Sequence, residues 1–387
     1  MMLTPEQKAA VRCDDNVMLT ACPGSGKTRV IVSKLVRVVD AVRGTPRSVA
    51  CITYTNAAVH EIESRLRLHI QPGDDRYFDI CTIHSFCLNH IFRPFSHLIE
   101  GYAGGFKVLT PDDDEFGKCV TAVCEKFGRF GLTFRDLDDF TQLRLSPDGK
   151  PVGNAIDRGG VTAEMAEAYW KRCGELGFID FASIIYYSLR LLRERPEVLK
   201  AVASKFAWIL VDEFQDTTDL QVEILTLIAQ KGRTRFLLVG DSFQSIYRFA
   251  GARPDLADKF AADINARTDF SLTGNFRSSK LIIGNAELLF ARNPAMEALG
   301  EAKKFTEAPS LQHGTSAFAV IMDYFLPMLA ALEIPVGQAA ILAPTWFTLF
   351  PLGRRLRRQA SASLAPARGP IGEIANLRHS LNIFADI

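Results

Sequence analysis

The chain is 387 residues long, 48% hydrophobic and 23% charged, a balance that fits a globular protein of two or three domains. Its 45 Lys and Arg against 44 Asp and Glu leave a formal charge of +1, which excludes a globally basic body, so any nucleic-acid surface has to be a local groove. No apolar run reaches the roughly 18 residues of a membrane span, Met1–Glu6 lacks a signal-peptide pattern, and the eight cysteines form no C-x-x-C pair; no membrane partner is expected, and a cytoplasmic location with reduced thiols is.

A helix is expected from Pro5, with Thr4 as N-cap and Gln7 one turn in. Taken alone, Gln7 reads as an ordinary surface glutamine. Asn16–Thr20 reads as a strand, and Arg29–Leu35 has helical spacing. Between them lies Ala21-Cys22-Pro23-Gly24-Ser25-Gly26-Lys27-Thr28, which fits the phosphate loop G-x-x-x-x-G-K-S/T except at its first glycine. Gly24 and Gly26 let the backbone curl so that its N–H groups face a polyphosphate, and the helix N-terminus adds partial positive charge. Lys27 reaches the outer phosphates, and the Thr28 hydroxyl suits Mg²⁺.

Ser48–Thr53 is a second strand, running through Tyr54, Thr55 and Asn56 into a helix that ends near Leu68. Phe78–Thr82 is a third, followed by His84 in the next helix. Both put polar and aromatic residues at strand C-termini, where ligands collect in open α/β sheets; a capping role for His84 fits the residues equally well. From 88 to 179 the strand–helix rhythm gives way to a largely helical insertion. Within it, Asp112-Asp113-Asp114-Glu115 reads as an acidic first helical turn rather than a metal site.

The α/β pattern resumes with the apolar strand Phe206–Val211, which runs directly into Asp212-Glu213-Phe214-Gln215-Asp216. Adjacent carboxylates at a strand end suit Mg²⁺ held by Asp212 and a water polarised by Glu213. The strand Arg235–Gly240 delivers Asp241-Ser242-Phe243-Gln244-Ser245-Ile246-Tyr247-Arg248-Phe249. There Gln244 can sense a phosphate, and Tyr247 and Phe249 either stack on bases or pack. Phe270–Thr273 is a last core strand, leading to Asn275-Phe276-Arg277; an Arg there can stabilise developing phosphoryl charge. Further on, 338–343 is expected as a strand and 346–359 as a helix, whose Arg354, Arg355, Arg357 and Arg358 read as a solvated face.

Taken in order from Leu3 to about Phe290, these stretches resemble superfamily 1A helicases of the UvrD/Rep type. Gln7 corresponds to the Q motif, Cys22–Thr28 to motif I, Thr53–Ala58 to Ia, Thr82–Phe86 to Ib, Asp212–Asp216 to II, Gly240–Tyr247 to III and Asn275–Ser278 to IV. The resemblance implies an α/β P-loop NTPase. Its RecA-like parallel sheet would be formed by 1–87 and 180–277, with a helical insertion at 88–179 and part of a second RecA-like lobe at 278–387. It implies ATP and Mg²⁺ as cofactors, with Gln7, Cys22, Pro23, Gly24, Ser25, Gly26, Lys27, Thr28, Arg29, Gln215 and Phe276 holding nucleotide. Thr28 and Asp212 would serve the metal, and Lys27, Glu213, Gln244 and Arg277 the chemistry. Tyr54, Thr55, Asn56, Thr82, His84, Tyr247 and Phe249 would touch DNA. The implied activity is ATP-driven movement on single-stranded DNA or at a single-strand/duplex junction. The alternative is a non-unwinding sensor working beside a nuclease subunit. Two departures stand out: Ala250 replaces the arginine usual before Gly251-Ala252, and no motif V or VI is found. The expectation is therefore ATP–Mg²⁺ binding with weak hydrolysis and no unwinding by this chain alone.

Overall fold

Runs of aliphatic and aromatic residues pair side by side to build the centre of the protein. A computed structural model describes residues 3–246, 251–343 and 346–363. Its strands, in chain order, are β1 (Val17–Ala21), β2 (Ser48–Thr53), β3 (Phe78–Thr82), β4 (Lys107–Val108), β5 (Arg144–Leu145), β6 (Pro151–Val152), β7 (Phe178–Ile179), β8 (Phe206–Val211), β9 (Arg235–Gly240), β10 (Arg267–Leu272), β11 (Gly274–Asn275) and β12 (Glu297–Ala298). Six of them form one sheet in the order β10-β1-β9-β8-β2-β3, with every pairing parallel.

Helices cover both faces of this sheet, which is why β8 and β9 read as unbroken apolar runs instead of alternating ones. Successive residues still divide between two cores. Trp208, Leu210, Leu237 and Val239 pack with the helices α1 (Pro5–Arg12), α2 (Lys27–Val42) and α3 (Asn56–Leu66). Ile209, Val211, Phe236 and Leu238 pack on the opposite side with helices Phe181–Glu194, Pro196–Lys205, Asp219–Lys231 and Pro254–Asp263. The helix α4 (Ile83–Cys87) continues from β3, passes into a π-helical turn at Leu88–Phe92 and packs in this second core.

Between β3 and β8 the chain leaves the sheet. The short parallel pair β4 and β7 closes the stem of this insertion, and β5 and β6 form an antiparallel hairpin joined by residues 146–150. The insertion has its own core, with Phe116, Phe140 and Tyr169 edge-to-face at its centre. The acidic run lies at the start of helix Asp114–Lys126, where Asp113 accepts the Thr110 backbone N–H at 2.7 Å and its hydroxyl at 2.8 Å. These bonds hold its carboxyl down to about 2, and the reading as a helix start stands.

Contacts divide the chain into two compact units, the first running to Phe305 and the second beginning at Thr306. The second contains helices Ala317–Val320, Leu326–Ala331 and Trp346–Ser363. The strand expected at 338–343 is not formed: Val336–Gln338 is a 3-10 turn and the following residues are extended without a ladder. An apolar run becomes a strand only with a neighbour to pair with. This unit has no other strand among its described residues, and Leu342 is 90% exposed.

The first unit contains an unusual tie between α1 and α2. Lys34 is fully buried. Its ammonium lies 4.0 Å from the Trp208 ring centroid and donates to the carbonyls of Val11, at 3.3 Å, and Cys13, at the C-terminal end of α1. Burial lowers its pKa from 10.5 to about 8. The unfolded chain therefore holds the proton across a window in which the folded chain releases it, so stability contributed at this site rises with pH. Urea unfolding between pH 8 and 10.5 should show wild type gaining on Lys34→Met as pH increases, by at most about 1.4 kcal/mol per pH unit. A difference that is flat with pH would show that burial does not lower the pKa of this lysine.

Candidate nucleotide site

The C-terminal ends of β1, β8 and β9 open onto a cleft of about 710 Å³, the position where open parallel sheets bind ligands. Its floor is the loop after β1. Gly24 and Gly26 have φ of +68° and +84°, the left-handed region that favours glycine. A Cβ on Gly24 would lie 2.7 Å from Arg277 Cβ and from Asn275 Oδ1, and one on Gly26 would lie 2.8 Å from Gln7 Nε2. Gly26 is also the N-cap of α2 and brings no side-chain cap, so the first turn presents backbone N–H groups to the cleft. The loop is tied to the end of β10 and to the segment after it by hydrogen bonds from Cys22 N to Leu272 O and from Phe276 N to Gly24 O, at 3.0 and 2.9 Å.

Gln7 is not a surface residue. It is 1% exposed, its Oε1 accepts the Thr4 N–H at 3.0 Å to complete a capping box, and its Nε2 donates to Ser25 O at 2.8 Å. Gln7 and Phe276 together line a smaller cavity of about 100 Å³, and Phe276 also faces the main cleft. The Asn275 carboxamide oxygen accepts the N–H groups of Arg277 and Ser278, each at 2.8 Å. This Asx turn sets Arg277 on the cleft wall within the same compact unit as the loop. Pro23, Lys27, Thr28 and Arg29 line the cleft. Cys22 is buried below it, and the Ser25 hydroxyl is used to close the loop, donating to Cys22 O at 2.7 Å.

Across from the loop stand the carboxylates. Lys27 Nζ donates to both Glu213 oxygens, at 2.9 and 2.8 Å. Glu213 is held at φ +48°, a conformation uncommon for a residue with a Cβ and one that clusters at functional positions. Gln215 Nε2 donates to Glu213 Oε2 at 2.9 Å, and Gln215 Oε1 accepts the Asp241 N–H, also at 2.9 Å. Gln244 Nε2 donates to Asp241 Oδ2 at 2.6 Å. Burial, reinforced by the Glu213 charge, pushes Asp212 up to about 7 and Asp216 up to about 6. Among the described residues the buried Asp216 Oδ1 has no hydrogen-bond partner.

The Glu213 charge acts on both Asp212 and Asp216 while the loop lysine is paired with Glu213, so this side of the cleft is short of positive charge, as suits a divalent cation. No group of three or more His, Cys, Asp or Glu among the described residues forms a complete metal cage.

Of the residues expected on a DNA track, Tyr54 and Thr55 line this same cleft. Thr55 and Thr82 act as N-caps, of α3 and α4, and Asn56 opens α3. His84, partly buried edge-on to Phe181 at 5.6 Å, is lowered by desolvation to about 4 and is neutral near pH 7. Tyr247 and Phe249 lie outside the described residues. Sequence reasoning missed Asp241 as the hub of the glutamine network and Arg292 as its counter-ion, with Nη1 2.9 Å from both Asp241 oxygens. Asn275 carried a local signal, an Asn two residues before the Arg it positions; Arg292 carried none.

Residues 3–265 match the UvrD/REP helicase N-terminal domain. The chain is 32% identical over 308 residues to the ATP-dependent DNA helicase Rep of Escherichia coli, covering 76% of this chain and 44% of that protein. It is 29% identical over 301 residues to the ATP-dependent DNA helicase PcrA of Bacillus subtilis (75% and 40%) and 27% identical over 298 residues to DNA helicase II of Salmonella typhimurium (75% and 40%). The chain thus spans less than half the length of these relatives. With the matched segment covering five of the six sheet strands, the phosphate loop and the facing carboxylates, the chain belongs to the UvrD/REP helicase family through its N-terminal domain.

Proposed function

We propose that this chain binds ATP with Mg²⁺ and serves in ATP-driven movement along single-stranded DNA, the class of activity named in Rep and PcrA. The observation that carries this reading is the convergence on one cleft of the phosphate loop, two adjacent carboxylates, two glutamines and Arg277. In this reading, residues 1–87 and 180–277 are one RecA-like lobe, 88–179 an insertion, and 278–387 the beginning of a second lobe. All six strands of the main sheet coming from the first two segments supports that division.

The loop N–H groups and Lys27 bind the β- and γ-phosphates, and Gln7 and Phe276 hold the adenine. Thr28 and Asp212 would hold Mg²⁺, which would neutralise phosphate charge when bound. Lys27, now paired with Glu213, exchanges that carboxylate for phosphate. Glu213 then accepts a proton from the attacking water while Gln215 keeps its carboxylate oriented. Arg277 stabilises the charge that develops on the phosphoryl oxygens, and Gln244 reports the phosphate state to the segment that follows it. Eight free cysteines support a reducing, cytoplasmic setting. No helix among the described residues is long and apolar enough to cross a membrane.

ATP turnover with and without a dT oligonucleotide tests this directly. Stimulation by DNA that Glu213→Gln abolishes, with a loss of about 10²–10⁴-fold while nucleotide binding persists, is the expected result; turnover unaffected by the substitution would remove Glu213 from the reaction. Lys27→Ala should weaken binding of a fluorescent ATP analogue at least about tenfold, the loss of one charge-assisted contact, and equal affinity in the two proteins would mean the loop is idle. Phe276→Ala should weaken the same analogue by about 1–3 kcal/mol if the ring stacks on the base, and should leave binding of inorganic triphosphate unchanged.

A further inference from the structure

We propose that Arg292 is a positioning residue that sets Gln244 and so couples the nucleotide cleft to oligonucleotide binding; the inference rests on the ATP and DNA reading above. Asp241 lies at the end of β9 and is fully buried. Three groups share its carboxylate. The Phe243 N–H donates to Oδ1 at 3.1 Å, Gln244 Nε2 donates to Oδ2 at 2.6 Å, and Arg292 Nη1 lies 2.9 Å from both oxygens. Arg292 is the one cation paired with this buried carboxylate among the described residues, and its own side chain is 11% exposed. The Phe243 ring sits 4.4 Å from the guanidinium and shields it from water. Arg292 thus touches residues 241 and 243 directly and reaches Gln244 through the Asp241 carboxylate.

The arginine itself is well anchored. It follows helix Lys280–Leu289, and the carboxylate of Glu287 accepts the backbone N–H groups of Arg292 and Met296, each at 2.9 Å. A buried carboxylate that loses its counter-ion is left uncompensated, which strongly disfavours the original geometry. Without Arg292, the Asp241 carboxylate has lost its paired cation and no longer holds the Gln244 amide where it is. The remaining half of the network, from Gln215 to Glu213 and Lys27, meets Asp241 only at its backbone N–H and makes no use of the carboxylate that Arg292 pairs with. Arg292 should therefore govern communication and not nucleotide affinity.

The experiment measures the affinity of the full chain for a dye-labelled dT oligonucleotide, by anisotropy, with and without Mg²⁺ and a non-hydrolysable ATP analogue. Affinity for the analogue itself is measured separately. Wild type should show at least about a fivefold change in oligonucleotide affinity on adding the analogue, at the lower end of usual coupling. Arg292→Ala should bring that ratio below about twofold while analogue affinity stays within about twofold of wild type. Arg292→Lys, which keeps the charge, should retain most of the coupling. It also covers the case in which Arg292→Ala does not fold, since Arg292→Gln can then be compared with Arg292→Lys in its place. Coupling kept in the neutral variant, lost in Arg292→Lys and Arg292→Ala alike, or absent from wild type overturns the proposal. Failure of wild type to bind the analogue at all would instead overturn the ATP reading on which it rests.

Discussion

The ion pair between Lys27 and Glu213 spans the cleft and joins its two walls. One partner opens the helix after the phosphate loop, and the other follows the central strand β8. Each is a charged group held partly out of water, and each is satisfied by the other. Glu213 takes a left-handed backbone conformation to reach the lysine, and Gln215 supplies a second donor to the same carboxylate. The rest of the site is arranged around this contact. The buried Asp212 and Asp216 remain under strain from like charge because the one nearby ammonium is committed to Glu213. In the proposed function, a polyphosphate with a divalent cation would satisfy both demands, offering Lys27 a second anion and the aspartates a countercharge.

A second layer of organisation holds that first contact in register. Gln7, from the N-terminal helix, and the Asn275 turn, from the segment after the last core strand, clasp the phosphate loop from two sides. Their approach is so close that Gly24 and Gly26 have no room for a side chain. Lys34 then hangs the Gln7 helix on the helix of Lys27. The loop is thus rigid before ligand arrives, which lowers the ordering cost of binding.

The sheet and most of the cleft were legible in the chain because their signals are local. Apolar strands ended in Gly-Lys-Thr, Asp-Glu and Gly-Asp, and each placed its polar residues at the same edge. What stayed hidden depended on contacts between distant segments. Gln7 read as a surface residue because nothing near it in sequence announces the loop carbonyl it binds. Arg292 read as nothing at all, since a lone arginine after a helix carries no pattern. The apolar run at 338–343 had the composition of a strand, but composition does not supply a neighbour to pair with, and in the second unit the run stays exposed. Thr55 and Thr82 sit where a nucleic-acid track was expected, and their hydroxyls are spent on helix caps, a use that the same residue types favour equally.

The strand that feeds the phosphate loop, β1, lies between β9 and β10, the last two strands of the sheet to be synthesised. A nascent chain that has made β1, α2, β2 and β3 has every residue of the loop, yet none of the neighbours that hold β1 or clasp Gly24. The sheet can close only after the insertion has been made and the chain has returned through β8. Long-range parallel pairing of this kind is slow and leaves strand edges open meanwhile. The finished cleft therefore arrives late in the folding of the first unit, once the chain has been made through the Asn275–Arg277 turn that clasps Gly24.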